Sequence, residues 1–330
     1  MVQVMKRWGV WLPWLAAVGL LAWVVQTVSL TAVLETLQNL AWWQLAVLVV
    51  LNALALIWLT GRWWLLLWGM GWRLPLGLAV GHRLAAFGVS YFTPGPHFGG
   101  EPVQVLLAEK AHGVPRHTAV SAVSLDKSVE LLVNFAFLLF GVLITLRTGL
   151  LRTSWGEEAI GLVGGLLLFP MFYLAAIWGG RRPLSGGLRL GQLVGRRWRW
   201  YDTAVASLAA SEEQAHQLCR QSPRLFILAL LLSAASWLVL LVEYGLMLTF
   251  LGASLSPVQI IVTLTAVRLA YLLPLPGGLG SLEASQVFAL SLMGADPAIG
   301  LSASLLIRGR DVALGLVGLW WGSRFVRLPK

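Results

Sequence analysis

Apolar runs of roughly 20 residues, unbroken by charge and without two-residue alternation, recur along this chain and fit only one solvent, a lipid bilayer. Inside lipid every backbone N–H and C=O must find a partner within the protein, which leaves α-helices or closed barrels. Long stretches of Leu, Ala, Val and Trp that do not alternate exclude a barrel. The composition agrees: 58% of the 330 residues are apolar and only 12% are charged, against about 25% charged in ordinary soluble domains. The expected fold class is an all-α polytopic membrane protein forming one transmembrane domain over residues 1–330.

Full spans are expected at Val10–Leu30, Leu40–Thr60, Thr118–Leu146, Ala159–Gly179, Arg224–Leu251 and Ala298–Ser323. Lys6 and Arg7 ahead of the first run give it the look of a signal peptide. The run is too long for that and lacks a small-x-small cleavage site, so it reads as the first transmembrane helix. The net charge of +10 does not point to nucleic acid, because most Lys and Arg sit in short segments between apolar runs and no aromatic-basic platform accompanies them. The single Cys219 rules out a disulfide framework or a cysteine metal site. No metal or cofactor is expected.

Two apolar stretches are interrupted by proline and glycine. The first runs Gly77–Phe92, breaks across Thr93-Pro94-Gly95-Pro96-His97-Phe98-Gly99-Gly100, and resumes over Glu101–His112. The second runs Val258–Leu273, breaks across Pro274-Leu275-Pro276-Gly277-Gly278-Leu279-Gly280, and resumes over Ser281–Met293. Proline lacks the helix donor and collides with the preceding turn, so neither stretch is one continuous helix. The resumed limbs are too short to span, and each stretch reads as a re-entrant helical hairpin. With six spans and two hairpins, Lys6/Arg7, Arg62/Arg73, Lys110/Arg116, the basic loop 180–222 and Arg324/Arg327/Lys330 fall on one face. The positive-inside rule then makes both termini and that loop cytoplasmic, in a cell (inner or plasma) membrane. Many of the 18 tryptophans, among them Trp42, Trp43, Trp63, Trp64, Trp178, Trp320 and Trp321, lie near span ends, as interfacial belts require. The cluster Arg196-Arg197-Trp198-Arg199-Trp200 suits an anionic membrane surface, and Ala204, Leu208 and Ala215 suggest a short amphipathic helix after it. A purely topogenic loop fits those residues equally well.

The interrupted regions resemble each other. Each entering limb carries Arg-Leu-Ala, at Arg83-Leu84-Ala85 and Arg268-Leu269-Ala270, and each exit limb begins at or near an acid, Glu101 and Glu283. A full span follows with a basic-x-x-acid pair, Lys127 with Glu130 and Arg308 with Asp311. The acid and the basic residue are 26 positions apart from Glu101 to Lys127 and 25 from Glu283 to Arg308. Three spans separate the hairpins, an odd number, so repeats of approximately 77–148 and 257–323 would be inverted. Broken helices in inverted repeats meet near the midplane of many transporters.

Ionisable residues within apolar segments cost at least about 2.5–3.5 kcal/mol each on insertion scales, so they need a reason. Arg83, Gly99, Gly100, Glu101, Arg268, Gly278, Gly280 and Glu283 are the candidate substrate contacts: cations, close-approach glycines and half-helix starts that suit phosphate or carboxylate. Asp126, Lys127, Glu130, Arg308, Arg310 and Asp311 are candidates for coupling or for permanent ion pairs, Lys127–Glu130 and Arg308–Asp311 being spaced to pair on one helix face. Glu101 and Glu283 also read as first-turn acids that satisfy a helix start. Glu243 has no obvious partner, and His97 reads as a loop residue. There is no G-x-x-x-x-G-K-[ST], no H-E-x-x-H and no recognisable nucleophile–base pair, so no enzymatic reaction is expected.

Pro94-Gly95-Pro96 with Gly100-Glu101, the Asp126-x-x-x-Glu130 span, and Arg268…Leu273-Pro274-Leu275-Pro276-Gly277-Gly278-Leu279-Gly280-x-x-Glu283 resemble the lysylphosphatidylglycerol synthase transmembrane-region family, also described as flippase-like. The likeness covers roughly Gly61 to Ser323, and its second motif, P-x-P-G-G-x-G-x-x-E, is the more specific. It implies a protein that moves or handles membrane lipids, anionic phospholipids or polyprenyl-phosphate carriers. It does not imply aminoacyl transfer, because the soluble domain of the synthase members is not expected in a chain ending at Lys330. The leading expectation is a lipid translocase working by alternating access at the repeat interface. A secondary transporter of a small anionic solute and a non-transporting scaffold remain open beside it.

Overall fold

The computed structural model describes residues 19–24, 26–93, 99–149, 153–192, 199–273, 275 and 278–326. Among them the regular structure is helical throughout: α1 (residues 19–24 and 26–27), α2 (Leu30–Gln38), α3 (Trp42–Gly69), α4 (Leu76–Phe92), α5 (Glu101–His112), α6 (Arg116–Arg147), α7 (Thr153–Trp178), α8 (Pro183–Gln192), α9 (Arg199–Gln221), α10 (Pro223–Phe250), α11 (Pro257–Ala270), α12 (Ser281–Leu292) and α13 (Pro297–Val326). Four of these, α3, α6, α7 over Glu158–Trp178, and α10, are long and apolar enough to cross a membrane. α13 has the length, 30 residues, and carries Arg308, Arg310 and Asp311 within it. The protein is an all-α polytopic membrane protein.

Three expectations from the sequence need correction. The second span does not end at Thr60; α3 continues to Gly69 and takes Arg62, Trp63 and Trp64 into the helix. Arg62 is fully buried, so it is not a loop residue marking the cytoplasmic face. It can stay inside because carboxylates on α6 neutralise it. The first span does not run unbroken to Leu30, because Ser29 accepts from the Ala32 N–H and starts a separate helix, α2. That helix buries Val33 in a cluster with Val287, Ala298 and Leu301. The part of the predicted first span before residue 19 lies outside the described residues, as do 94–98, with His97, and 274, 276 and 277 in the two breaks.

The third correction concerns residues 180–222, which hold two helices rather than a loop with one short helix. The buried residues of α9 are Val205, Ala209, Ser211, Glu212, Ala215, Leu218 and Cys219, and Ala204 is exposed. Ala215, Leu218 and Cys219 join the core cluster of Trp63, Leu66 and Ile177. Glu212 closes the start of α8, accepting from the Leu184 N–H at 2.8 Å, the Ser185 N–H at 3.1 Å and the Ser185 hydroxyl at 2.5 Å. Next to it, hydrogen bonds from Arg182 and Gln217 hold the Glu213 carboxyl below its ordinary pKa. Residues 193–198, with Arg196, Arg197 and Trp198 of the predicted basic cluster, lie outside the described residues.

Both interrupted regions form a pair of short helices packed on each other, α4 with α5 and α11 with α12. α5 and α12 have 12 residues each, about 18 Å at 1.5 Å per residue, against a hydrocarbon core of about 30 Å. α4 packs on α13, α11 packs on α6, and α3 packs on α10. Between helices in lipid there is little hydrophobic gain, and small residues that let backbones approach supply the contact. The α4–α13 crossing is built that way. A Cβ on Gly88 would sit 2.5 Å from the Gly315 carbonyl oxygen, and one on Gly318 would sit 1.9 Å from that of Leu84.

Candidate functional site

The charged residues gather where the short helices meet the long ones. On the first side, α6 offers Asp126, Lys127 and Glu130, spaced so that all three project within one turn. Arg62 from α3 places Nε 2.6 Å from Asp126 Oδ1 and a terminal nitrogen 3.1 Å from Glu130 Oε2. It also donates to the Ser233 hydroxyl on α10 at 2.8 Å. Arg83 from α4 spans the same two acids, 2.5 Å from Asp126 Oδ2 and 3.1 Å from Glu130 Oε2. Lys127 reaches Glu130 at 2.8 Å and Glu101, the first residue of α5, at 3.2 Å. Three cations and three acids balance in one network that ties α3, α4, α5 and α6 together.

On the second side Arg308 from α13 holds Glu283 in the first turn of α12: its Nε donates to Oε1, a terminal nitrogen donates to Oε2 at 2.9 Å, and the same nitrogen donates to the Gly278 carbonyl at 2.9 Å. Arg310 bridges Glu243 of α10 at 3.0 Å and its neighbour Asp311 at 2.9 Å. Arg268 from α11 is different. Its guanidinium lies over the Trp237 ring, 4.8 Å from the centroid, and among the described residues it makes no ion pair.

The half-helix starts are partly closed by their own acids. Glu101 accepts from the Gly99 N–H and Glu283 from the Gly280 N–H, both at 2.9 Å. Gly99, Gly278 and Gly280 adopt φ of 136°, 63° and 79°, a region that favours glycine. Gly100 lies so close to α4 that a Cβ would stand 1.9 Å from the Ala86 carbonyl oxygen, and its N–H donates to Ser90 Oγ at 2.8 Å. These glycines therefore serve backbone turns and helix approach, and the first-turn reading of both glutamates holds alongside their ion pairs.

Residues 10–318 match the family described as lysylphosphatidylglycerol synthase TM region. The chain belongs to this family. The match takes in both interrupted regions and every charged residue of the two ion-pair networks. A UPF0104 membrane protein of Methanothermobacter thermautotrophicus is 20% identical over 233 residues, covering 68% of this chain and 68% of its own length. No solved structure matches.

Within this lysylphosphatidylglycerol synthase TM region chain, the expected Lys127–Glu130 pair forms and the expected Arg308–Asp311 pair does not. Arg308 reaches along α13 to the start of α12, and Asp311 is taken by Arg310 instead. The nearly equal sequence spacing between acid and base in the two halves, 26 and 25 positions, corresponds to an ion pair in each, Glu101–Lys127 and Glu283–Arg308. Sequence reasoning missed Arg62, Ser233 and Trp237, and left Glu243 without a partner. The signal for Arg62 was present: Trp63-Trp64-Leu65-Leu66-Leu67 continues the apolar run directly after it.

Proposed function

We propose that this protein is a lipid translocase of the cell membrane, handling an anionic phospholipid or polyprenyl-phosphate lipid by alternating access between its two helical hairpins. The carrying observation is that a cation on a long helix grips the acid opening a short one in both halves, Lys127 with Glu101 and Arg308 with Glu283. Such pairs hold a short helix in place, yet require only a change of partner to release it. Glu130, with its side chain 31% exposed and bonded to Arg62, Arg83 and Lys127, is the acid best placed to exchange partners. In this reading residues 77–148 and 257–323 are inverted repeats, with both termini and residues 180–222 on the cytoplasmic side. The candidate contacts Arg83, Gly99, Gly100, Glu101, Arg268, Gly278, Gly280 and Glu283 line or shape the path. Asp126, Lys127, Glu130, Arg308, Arg310 and Asp311 form the ion pairs that rearrange. No chemical step is assigned.

The test is leaflet-to-leaflet transfer of labelled phosphatidylglycerol in liposomes carrying the purified protein. Transfer faster than in empty liposomes, and reduced by Glu283→Gln, is the expected result. Equal rates with and without protein would overturn the reading. A second reading, a non-transporting scaffold, is favoured by the dense pairing around Asp126 and Glu130. It predicts no protein-dependent transfer.

A further inference from the structure

The two halves of the charged cluster are not electrically alike. Arg83 and Arg268 occupy the same place in the repeated Arg-Leu-Ala sequence. Arg83 spans two carboxylates, whereas Arg268 meets none among the described residues. The Arg268 Nε is buried with no hydrogen-bond partner, while the residue as a whole is only partly buried. Glu243 and Asp311 lie within its electrostatic reach, but both are already bonded to Arg310. A guanidinium in a membrane interior without a carboxylate is costly, and it marks a pathway or a ligand more often than a structural tie.

What holds Arg268 is an aromatic face. Trp237 of α10 lies beneath it, and Trp237 is itself stacked on Phe137 of α6 with ring centroids 4.3 Å apart and planes 26° from parallel. Cation–π attraction engages the flat face of a guanidinium and leaves the N–H groups in its plane uncommitted. A planar fork of donors fixed in this way matches two oxygens of a phosphate. The aromatic pair thus orients the cation without neutralising it, the opposite of what Asp126 and Glu130 do to Arg83.

We propose that Arg268, seated on Trp237, binds a phosphate oxyanion, the group common to a phospholipid headgroup and to free inorganic phosphate. The proposal rests on the translocase reading for its physiological meaning. Its binding chemistry stands apart from that reading, and the experiment separates them. The full-length protein in a non-ionic detergent is titrated with short-chain phosphatidylglycerol, with diacylglycerol of the same chain length, and with inorganic phosphate, and heat is recorded. Saturable binding of phosphatidylglycerol, but not of diacylglycerol, is expected. Arg268→Gln should weaken it by about 10- to 100-fold, the scale of losing hydrogen bonds to a charged group. Phosphatidylglycerol binding without inorganic phosphate binding assigns the site to the lipid; binding of both assigns it to the phosphate group itself; either supports the proposal. Arg268→Lys retains the charge without the fork and serves where the glutamine variant does not fold. It too should bind more weakly, as should Trp237→Leu. Unchanged affinity in a folded Arg268 variant, or no saturable binding by the wild type, overturns the proposal. Leaflet transfer by a wild-type protein whose phosphate binding ignores Arg268 sinks this assignment alone. Arg268-dependent binding without leaflet transfer sinks the translocase reading alone.

Discussion

Arg62 and Asp126 meet at 2.6 Å with the arginine side chain fully buried and the aspartate side chain 4% exposed, joining α3 to α6 inside the protein. Removing Arg62 leaves the buried Asp126 carboxylate to Arg83 alone and takes the donor from the Ser233 hydroxyl; breaking a buried pair costs up to about 3–5 kcal/mol, whereas exchanging an exposed charge costs about 0–1 kcal/mol. Arg62→Met is therefore expected to lower the thermal midpoint of the detergent-solubilised protein well below that of Lys110→Met, an exposed position on α5. Equal midpoints would show that Arg83 alone neutralises Asp126 well enough to hold the site.

The α4–α13 contact gives a steric prediction of opposite signs. Gly318→Ala would bring a methyl to 1.9 Å from the Leu84 carbonyl oxygen, a rigid backbone atom, and must push the two helices apart. At Gly309, on the same helix, nothing lies within 4 Å of an added Cβ. Alanine there removes the helix-interior glycine penalty of about 0.5–1 kcal/mol. Gly318→Ala should lower the unfolding temperature and Gly309→Ala should leave it equal or higher, read by near-ultraviolet circular dichroism during heating.

Much of this arrangement was legible in the sequence because lipid is an unforgiving solvent. Long apolar runs had to be helices, and proline at 94 and 276 had to end them, so the limits of α5 and α12 were readable to within a residue. The pairing within the charged cluster was less legible. Spacing shows which residues share a face of one helix, and on that ground Lys127 was rightly matched with Glu130 and Arg308 wrongly with Asp311. The choice between partners on one helix and partners on different helices depends on crossings such as α12 on α13, which no local pattern encodes. Arg62 was misread for a related reason: a charge near a run's end looks like a boundary until its partner is known. Trp237 was hidden among tryptophans that belong to interfaces.

Glu212 makes a separate prediction outside the spans. Its carboxylate is the acceptor for two backbone N–H groups and a hydroxyl at the start of α8, while the neighbouring Arg182–Glu213 pair is exposed. Glu212→Ala strands those donors next to α9 and should release α8, giving rapid trypsin cleavage at Arg181 or Arg189 in the folded protein. Arg182→Ala should leave cleavage at the remaining sites unchanged, because exposed ion pairs contribute little. Equal protection in both variants would mean that α8 is anchored by its apolar face instead.

The proposed inversion of the two halves is open to a direct chemical test. Cys219 is buried in the α9 core, so Cys219→Ala gives a background free of native thiols. Lys110 near the end of α5 is exposed, and Met293 directly after α12 is partly exposed. If the hairpins enter from opposite faces, Lys110→Cys and Met293→Cys must lie on opposite sides of the bilayer. A membrane-impermeant maleimide applied to sealed spheroplasts should then label Met293→Cys, and should reach Lys110→Cys only after the membrane is opened. Labelling of both from the same side would leave the ion pairs of the cluster intact as geometry, but would remove the inversion that alternating access requires.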